Sequence, residues 1–198
     1  VNNPFLENRE AGYDLGFSSI YAYSENNQDE AVLAHEKLLM DNQSHWLANE
    51  ILRYWRRVLK RVDLTSRSMI ALIEHGSCFA GVLAEILFSV DRSYMMEDEF
   101  EGDNRPIAKV KLSESNFGQY PMGNALTRLQ TRFLAEPEGV EAMKDQIGDD
   151  LEAEAADELG LVTYILDDID WEDEVRIFME ERASFSPDAM TGLEANLR

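Results

Sequence analysis

Residues 70–94 read IALIEHGSCFAGVLAEILFSVDRSY. The apolar run MIALI at 69–73, preceded by Leu64-Thr65-Ser66 and followed by Gly76, predicts a strand buried on both faces. Ser77-Cys78-Phe79-Ala80-Gly81 comes next, and then VLAEILF, which reads as a helix entering a core. A strand, a turn ending in Ala80-Gly81 and a helix can carry chemistry. The first N–H groups of a helix have no internal partner and lie at the positive end of its dipole. A missing side chain at Gly81 lets a carbonyl approach them, so such a bend can stabilise an enolate or thioester oxyanion. On spacing alone this is weak evidence, because Gly–small turns before helices are common and tight packing is the commoner reason for them.

Outward from this stretch, strands and helices alternate. Strands are predicted at 17–23, 89–96, 107–112 and 161–166. Helices are predicted at 31–40, 45–62, 124–133, 138–146 and 151–159, with Gly160 as the stop of the last. A final helix is expected at 171–182, capped by Asp170. In the 45–62 helix, Leu47, Ile51, Tyr54, Trp55, Val58 and Val62 recur at helical spacing, so the Trp46–Trp55 stripe is expected in the core, with Ser44 as N-cap. Alternation of this kind predicts an α/β fold with parallel pairing. Residues 1–15 are polar and weakly patterned, a turn is expected at 26–28, and 97–103 reads as an acidic loop.

The 198 residues are enough for one domain, and 44% are hydrophobic, enough for a buried core. The balance of 39 acidic and 18 basic residues, net −21, argues against nucleic acid and membrane surface as partners. A lone Cys78 allows no internal disulfide and fits a reducing cytoplasm. No apolar run approaches the ~20 residues of a membrane span. The opening VNNPFLENRE has no basic region followed by an apolar stretch and no starting Met, so the chain is expected to belong to a longer one.

Several chemistries lack their motifs. His35, His45 and His75 stand far apart, with no Glu-x-x-His, no His-Glu-x-x-His and no paired cysteines. Walker, Gly-x-Gly-x-x-Gly and Gly-x-Ser-x-Gly loops are absent too. From Asp149 to Glu181 there are 14 acidic residues and one basic. Without an Asp-x-Asp-x-Asp-Gly loop this reads as a solvated face rather than a cation site, and no metal is expected.

Three blocks in order resemble the crotonase (enoyl-CoA hydratase) superfamily: 70–94, KLSESNFGQYPMGNALTRLQTRF at 111–133, and IGDDLEAEAADELGLVTYIL at 147–166. The stretches at 65–81, FEGDNRPIAKVKLS at 100–113, NFGQYPM at 116–122, and 168–198 resemble the C-terminal half of the benzoyl-CoA-dihydrodiol lyase family, with 46–63 fitting just upstream. The resemblance implies a crotonase-like (ClpP/crotonase) β-β-α superhelix, as an incomplete or degenerate copy. The domain is placed at 41–198, after a weakly patterned segment 1–40.

The same resemblance implies a lyase that opens the oxidised ring of a benzoyl-CoA dihydrodiol or epoxide to an aldehyde acyl-CoA and formate, in aerobic benzoate degradation. Coenzyme A enters with the substrate and no other cofactor is implied; a homo-oligomer is expected. Gly81, with Ala80 before it, matches the glycine whose N–H gives half of the oxyanion hole. Glu114 falls on one of two catalytic glutamates. The other position holds Ala84, and Glu85, one place later, is turned by about 100°. Nothing between 17 and 64 resembles the Ala-Gly-Ala-Asp-type loop that supplies the second donor. This half is therefore expected to be non-catalytic, with the working site in an upstream crotonase region. The alternatives are a non-catalytic crotonase-like scaffold or oligomerisation domain and a stand-alone enoyl-CoA hydratase or isomerase using Glu114 alone.

Other readings stay open. Glu114 is a general base or a surface carboxylate. Cys78 is read as a buried inert thiol rather than a nucleophile. The basic face with Arg53, Arg56, Arg57, Lys60 and Arg61 either holds the phosphates of coenzyme A, with Arg53, Arg57 and Lys60 as candidates, or pairs with the acidic C-terminal segment.

Overall fold

A computed structural model describes residues 17–20, 28–65, 67–97 and 106–197. The polar opening at 1–15, the turn residues Asn26 and Asn27, and the acidic loop beyond Glu97 lie outside them.

The buried run becomes β2 (Ser68–Ile73), in which every residue is buried. Its apolar side chains face both ways because the strand is interior. β1 (Phe17–Ile20), β2, β4 (Arg92–Met96) and β6 (Tyr164–Leu166) form a sheet in the order β1-β2-β4-β6. Pairing is parallel throughout, with Ile70 opposite Arg92 and Tyr94 opposite Tyr164. A second parallel pair joins β3 (Phe79–Ala80) to β5 (Val110–Lys111). The chain thus visits the large sheet, then the small one, then a helix, and repeats: β2, β3, α3 (Ala84–Leu87), then β4, β5 and the helices that follow. This is the β-β-α winding expected.

The main core lies between the large sheet and those helices, with Ile70, Leu72, Phe79, Leu87, Met95 and Leu129 buried. A second cluster, Leu52, Leu59, Val82 and Tyr120, sits under α1 (Gln28–Asp41) and α2 (Trp46–Asp63). The described parts of 1–40 join this body: β1 pairs with β2, and α1 packs on the turn that begins at Gly81.

The face of α2 differs from expectation. It buries Ala48, Leu52, Leu59 and Asp63. Trp46 is 70% exposed, Tyr54 62% and Leu47 48%, whereas Trp55 is partly buried against the second cluster. The helix carries two apolar stripes, and the one chosen includes Asp63 because Arg128 meets it in the interior. His45, not Ser44, caps α2, accepting from the Leu47 N–H.

Downstream lie α4 (Arg128–Arg132), α5 (Pro137–Met143), α6 (Ala153–Glu158), α7 (Asp168–Ala183) and α8 (Pro187–Leu197). Thr127 and Gln130 form a capping box on α4. Gly160 ends α6 with φ +65, the left-handed stop expected. α7 is capped by Asp167, whose carboxylate accepts from the Asp170 N–H, so Asp170 lies inside the helix. α8 follows beyond the expected last helix, started by Ser186-Pro187.

Candidate thioester site

Ala80 ends β3 in extended geometry and Gly81 opens a 3-10 turn, Gly81–Leu83, with φ +51. Both are buried. The strand–bend–helix is therefore present, and α3 follows it directly. Ala84, at the position the resemblance gives to a catalytic glutamate, is fully buried and offers only a methyl.

A second 3-10 turn, Glu114–Phe117, packs against the first. Asn116 links them: its Nδ2 donates to the Gly81 carbonyl at 3.0 Å and to Glu85 Oε1 at 2.8 Å. Its Oδ1 accepts from the Ser113 N–H at 2.9 Å. Glu114 itself is exposed and lines a cavity of about 270 Å³. Leu33, Met40, Leu112 and Ile147 supply its apolar wall, and Glu36 lines it as well.

Glu36, from α1, is 5% exposed. Ser113 Oγ donates to its Oε2 and Ser115 Oγ to its Oε1, both at 2.6 Å, and the Tyr120 hydroxyl reaches Oε1 at 3.4 Å. A β-carbon on Gly81 would stand 2.6 Å from Glu36 Oε2. The open side of the glycine bend is therefore filled by a carboxylate of the same chain. Burial, and then the Glu36 charge, push the Tyr120 phenol up, so it stays a donor. The sequence reading missed Glu36, Ser113, Ser115 and Tyr120. Ser113 and Ser115 flank Glu114 in LSES, but no pattern in 28–41 ties Glu36 to Gly81.

Glu85 turns away from the cavity to Arg128. Arg128 Nη1 donates to Glu85 Oε2 at 2.6 Å, while Nε and Nη2 hold the two oxygens of Asp63 at 2.9 and 2.7 Å. One buried cation thus meets two buried carboxylates. Desolvation outweighs the help from Asn116 and Arg128 and raises Glu85 to about 7. Arg128, within the block 111–133 that resembles the crotonase superfamily, has a structural role here.

Cys78 is 3% exposed, and burial, aided by Asp29, pushes its thiol up to about 12. It is held protonated, unlike a nucleophile. Arg53, Arg57 and Lys60 stand on α2 and do not line the cavity. Arg53 meets Glu50 at 3.9 Å, and Arg56 donates to the Gln119 carbonyl. Among the described residues, none of the five α2 cations forms an ion pair with the acidic C-terminal segment. The expected pairing is not made, because that segment folds elsewhere: Arg176 takes up Asp173 and Glu180 within α7. No helix among the described residues is long and apolar enough to cross a membrane.

No family model matches the chain. It is 50% identical over 169 residues, 85% of its length, to a benzoyl-CoA-dihydrodiol lyase from Aromatoleum evansii. Those residues are 30% of the lyase, so the chain spans less than a third of that relative. Among solved structures, ThnE from S.clavuligerus has a TM-score of 0.55 at 17% identity, over 75% of this chain and 66% of that one. An enoyl-CoA hydrotase/isomerase family protein from Silicibacter pomeroyi has a TM-score of 0.53 at 15% identity, over 77% and 59%. The chain has the crotonase fold, and most of its sequence is similar to a portion of a benzoyl-CoA-dihydrodiol lyase.

Proposed function

We propose that this chain serves a lyase that opens the oxidised ring of a benzoyl-CoA dihydrodiol or epoxide, giving an aldehyde acyl-CoA and formate in aerobic benzoate degradation. Within it, this region is a crotonase-fold scaffold and not the place of turnover. The first part is supported by the sequence similarity to a benzoyl-CoA-dihydrodiol lyase. The single observation behind the second is Glu36. Its carboxylate stands at the Gly81 bend, where thioester chemistry would build negative charge.

Two magnitudes favour this reading. Losing one oxyanion donor costs roughly 10²–10³ in rate. A fixed anion about 4 Å from a developing oxyanion adds roughly 4 kcal/mol to its energy at an effective dielectric near 20. Ala84 supplies no acid or base to offset either. Glu114 lines the cavity but shares it with Glu36, which is already bonded to two serines. The acyl-CoA substrate brings coenzyme A with it, and cytoplasmic residence fits a lone, buried, protonated Cys78.

The test is a formate assay. The purified chain, given the epoxide or dihydrodiol of benzoyl-CoA, should release none above background. The long lyase that contains it should turn over. Sustained formate release by the isolated chain, at the roughly 1 s⁻¹ or more usual for enzymes, would overturn the scaffold reading.

A further inference from the structure

A second cavity, of about 210 Å³, opens between the large sheet and α7 and shares no lining residue with the one beside Gly81. Strand alternation puts Arg92 and Tyr94 of β4 on one face, and the ladder sets Tyr164 of β6 opposite Tyr94. On α7, Glu174, Phe178 and Glu181 follow one another at spacings of four and three, so they share one side of the helix. The Tyr94 and Tyr164 rings stack with centroids 5.3 Å apart, and Phe178 lies 5.9 Å from Tyr94. The Arg92 guanidinium sits 4.7 Å from the Phe178 ring and 5.8 Å from the Tyr164 ring. It also donates to the Tyr94 hydroxyl, so its plane is held by three aromatic neighbours.

The charges around this cavity are the telling feature. Arg92 lines it together with the carboxylates of Glu174 and Glu181. Among the described residues, none of the three forms an ion pair; the cations of α7 go instead to Asp173, Glu180 and Glu194. Opposite charges therefore face one cavity without closing on each other. An occupant that fits must offer acceptors to a planar fork of donors, N–H groups to a carboxylate, and a flat face to Tyr164, which is 44% exposed. A simple carboxylate suits Arg92 but meets two anions, and a simple ammonium meets a fixed cation. The volume is below the roughly 300 Å³ at which pockets for drug-sized ligands begin, which leaves a molecule of one or two rings.

We propose that the cavity between β4, β6 and α7 binds a neutral purine nucleoside of the guanine type, independently of the function proposed above. Guanine carries both sets of groups: the O6 and N7 acceptors suit an arginine fork, and the N2 amino group, with the ring N1–H beside it, suits a carboxylate. Adenine has no O6 acceptor. Tyrosine rings and guanidinium planes are the surfaces on which single bases stack. A phosphate does not fit the site. Arg92 is the cation among the described lining residues, two carboxylates stand beside it, and the chain carries a net −21. The base therefore arrives as a nucleoside rather than a nucleotide.

The experiment is equilibrium dialysis of labelled guanosine against the full chain, from about 10 µM to 1 mM nucleoside, with a dissociation constant on the order of 0.1 mM expected. Adenosine and guanosine monophosphate are run in parallel, and each should bind at least about tenfold more weakly. Two variants are compared, each checked for native circular dichroism and urea midpoint. Arg92→Lys keeps the charge and loses the planar fork. E174Q/E181Q changes two exposed side chains of α7 and leaves the fold intact. Both should weaken guanosine at least about tenfold. Guanosine unbound at about 1 mM, adenosine bound as tightly, guanosine monophosphate bound more tightly, or folded E174Q/E181Q binding guanosine like wild type would each overturn the proposal. Should Arg92→Lys fail to fold, the glutamate variant and the adenosine comparison still decide.

Discussion

The carboxylate of Glu36 lies against the backbone of Gly81, its Oε2 2.6 Å from the place a β-carbon would take. Forty-five positions apart in sequence, the two fit only because residue 81 is a glycine, in a left-handed conformation at φ +51.

Gly81→Ala meets both obstacles at once. The left-handed backbone costs roughly 1–2 kcal/mol for a non-glycine, and the methyl collides with Glu36. A loss of about 2–4 kcal/mol in urea unfolding is expected. Glu36→Ala should be cheaper in the Gly81→Ala background than in wild type, because it removes the collision. Additive losses in the double-mutant cycle would show that the two groups do not touch.

Arg128→Met leaves Asp63 and Glu85 buried without their cation. Removing one partner of a buried ion pair costs roughly 3–5 kcal/mol, and the same is expected here. Denaturant midpoints measure it, and a loss below about 1 kcal/mol would mean that the fork contributes little.

Glu85 sets a pH dependence. Its folded value, about 7, lies above the ordinary 4.5 because burial penalises the charge. A raised carboxyl stabilises the fold while it is protonated. That contribution is complete below about pH 4.5 and is lost as the pH rises through about 7. The displacement corresponds to about 3 kcal/mol. Glu85→Gln mimics the protonated form, so it should flatten the slope of stability between about pH 5 and 8, whatever its absolute stability. An unchanged slope would assign the dependence to another group.

Cys78 should resist thiol reagents in the native protein. With the thiol near 12, thiolate at about pH 8 is on the order of one part in 10⁴, and the side chain is 3% exposed. Labelling by an aromatic disulfide should follow the unfolding rate and speed up with urea. Rapid labelling of folded protein would mean that the thiol is open.

Much of the fold is legible along the chain because its signals are local. MIALI at 69–73 reads as an interior strand because a both-faces apolar run suits nothing else so short. Gly160 reads as a helix stop because of its own backbone freedom. Ser186-Pro187 is an equally local signal, and it starts α8. The face of α2 was harder. Leu47-Ile51-Tyr54 and Ala48-Leu52-Leu59 are both acceptable stripes, and only the neighbours that α2 packs against choose between them.

What the sequence by itself determined was the succession of strands and helices, the glycine bend at Ala80-Gly81, and the vacant position at Ala84. Each depends on one residue's backbone or on a short period. Tertiary structure alone decided what fills the bend and which carboxylates are paired. Glu36 reaches Gly81, and Asp63 reaches Arg128, across 45 and 65 positions. The chemistry of a carboxylate is set by the atoms within about 3 Å of it, and the chain delivers those atoms from elsewhere.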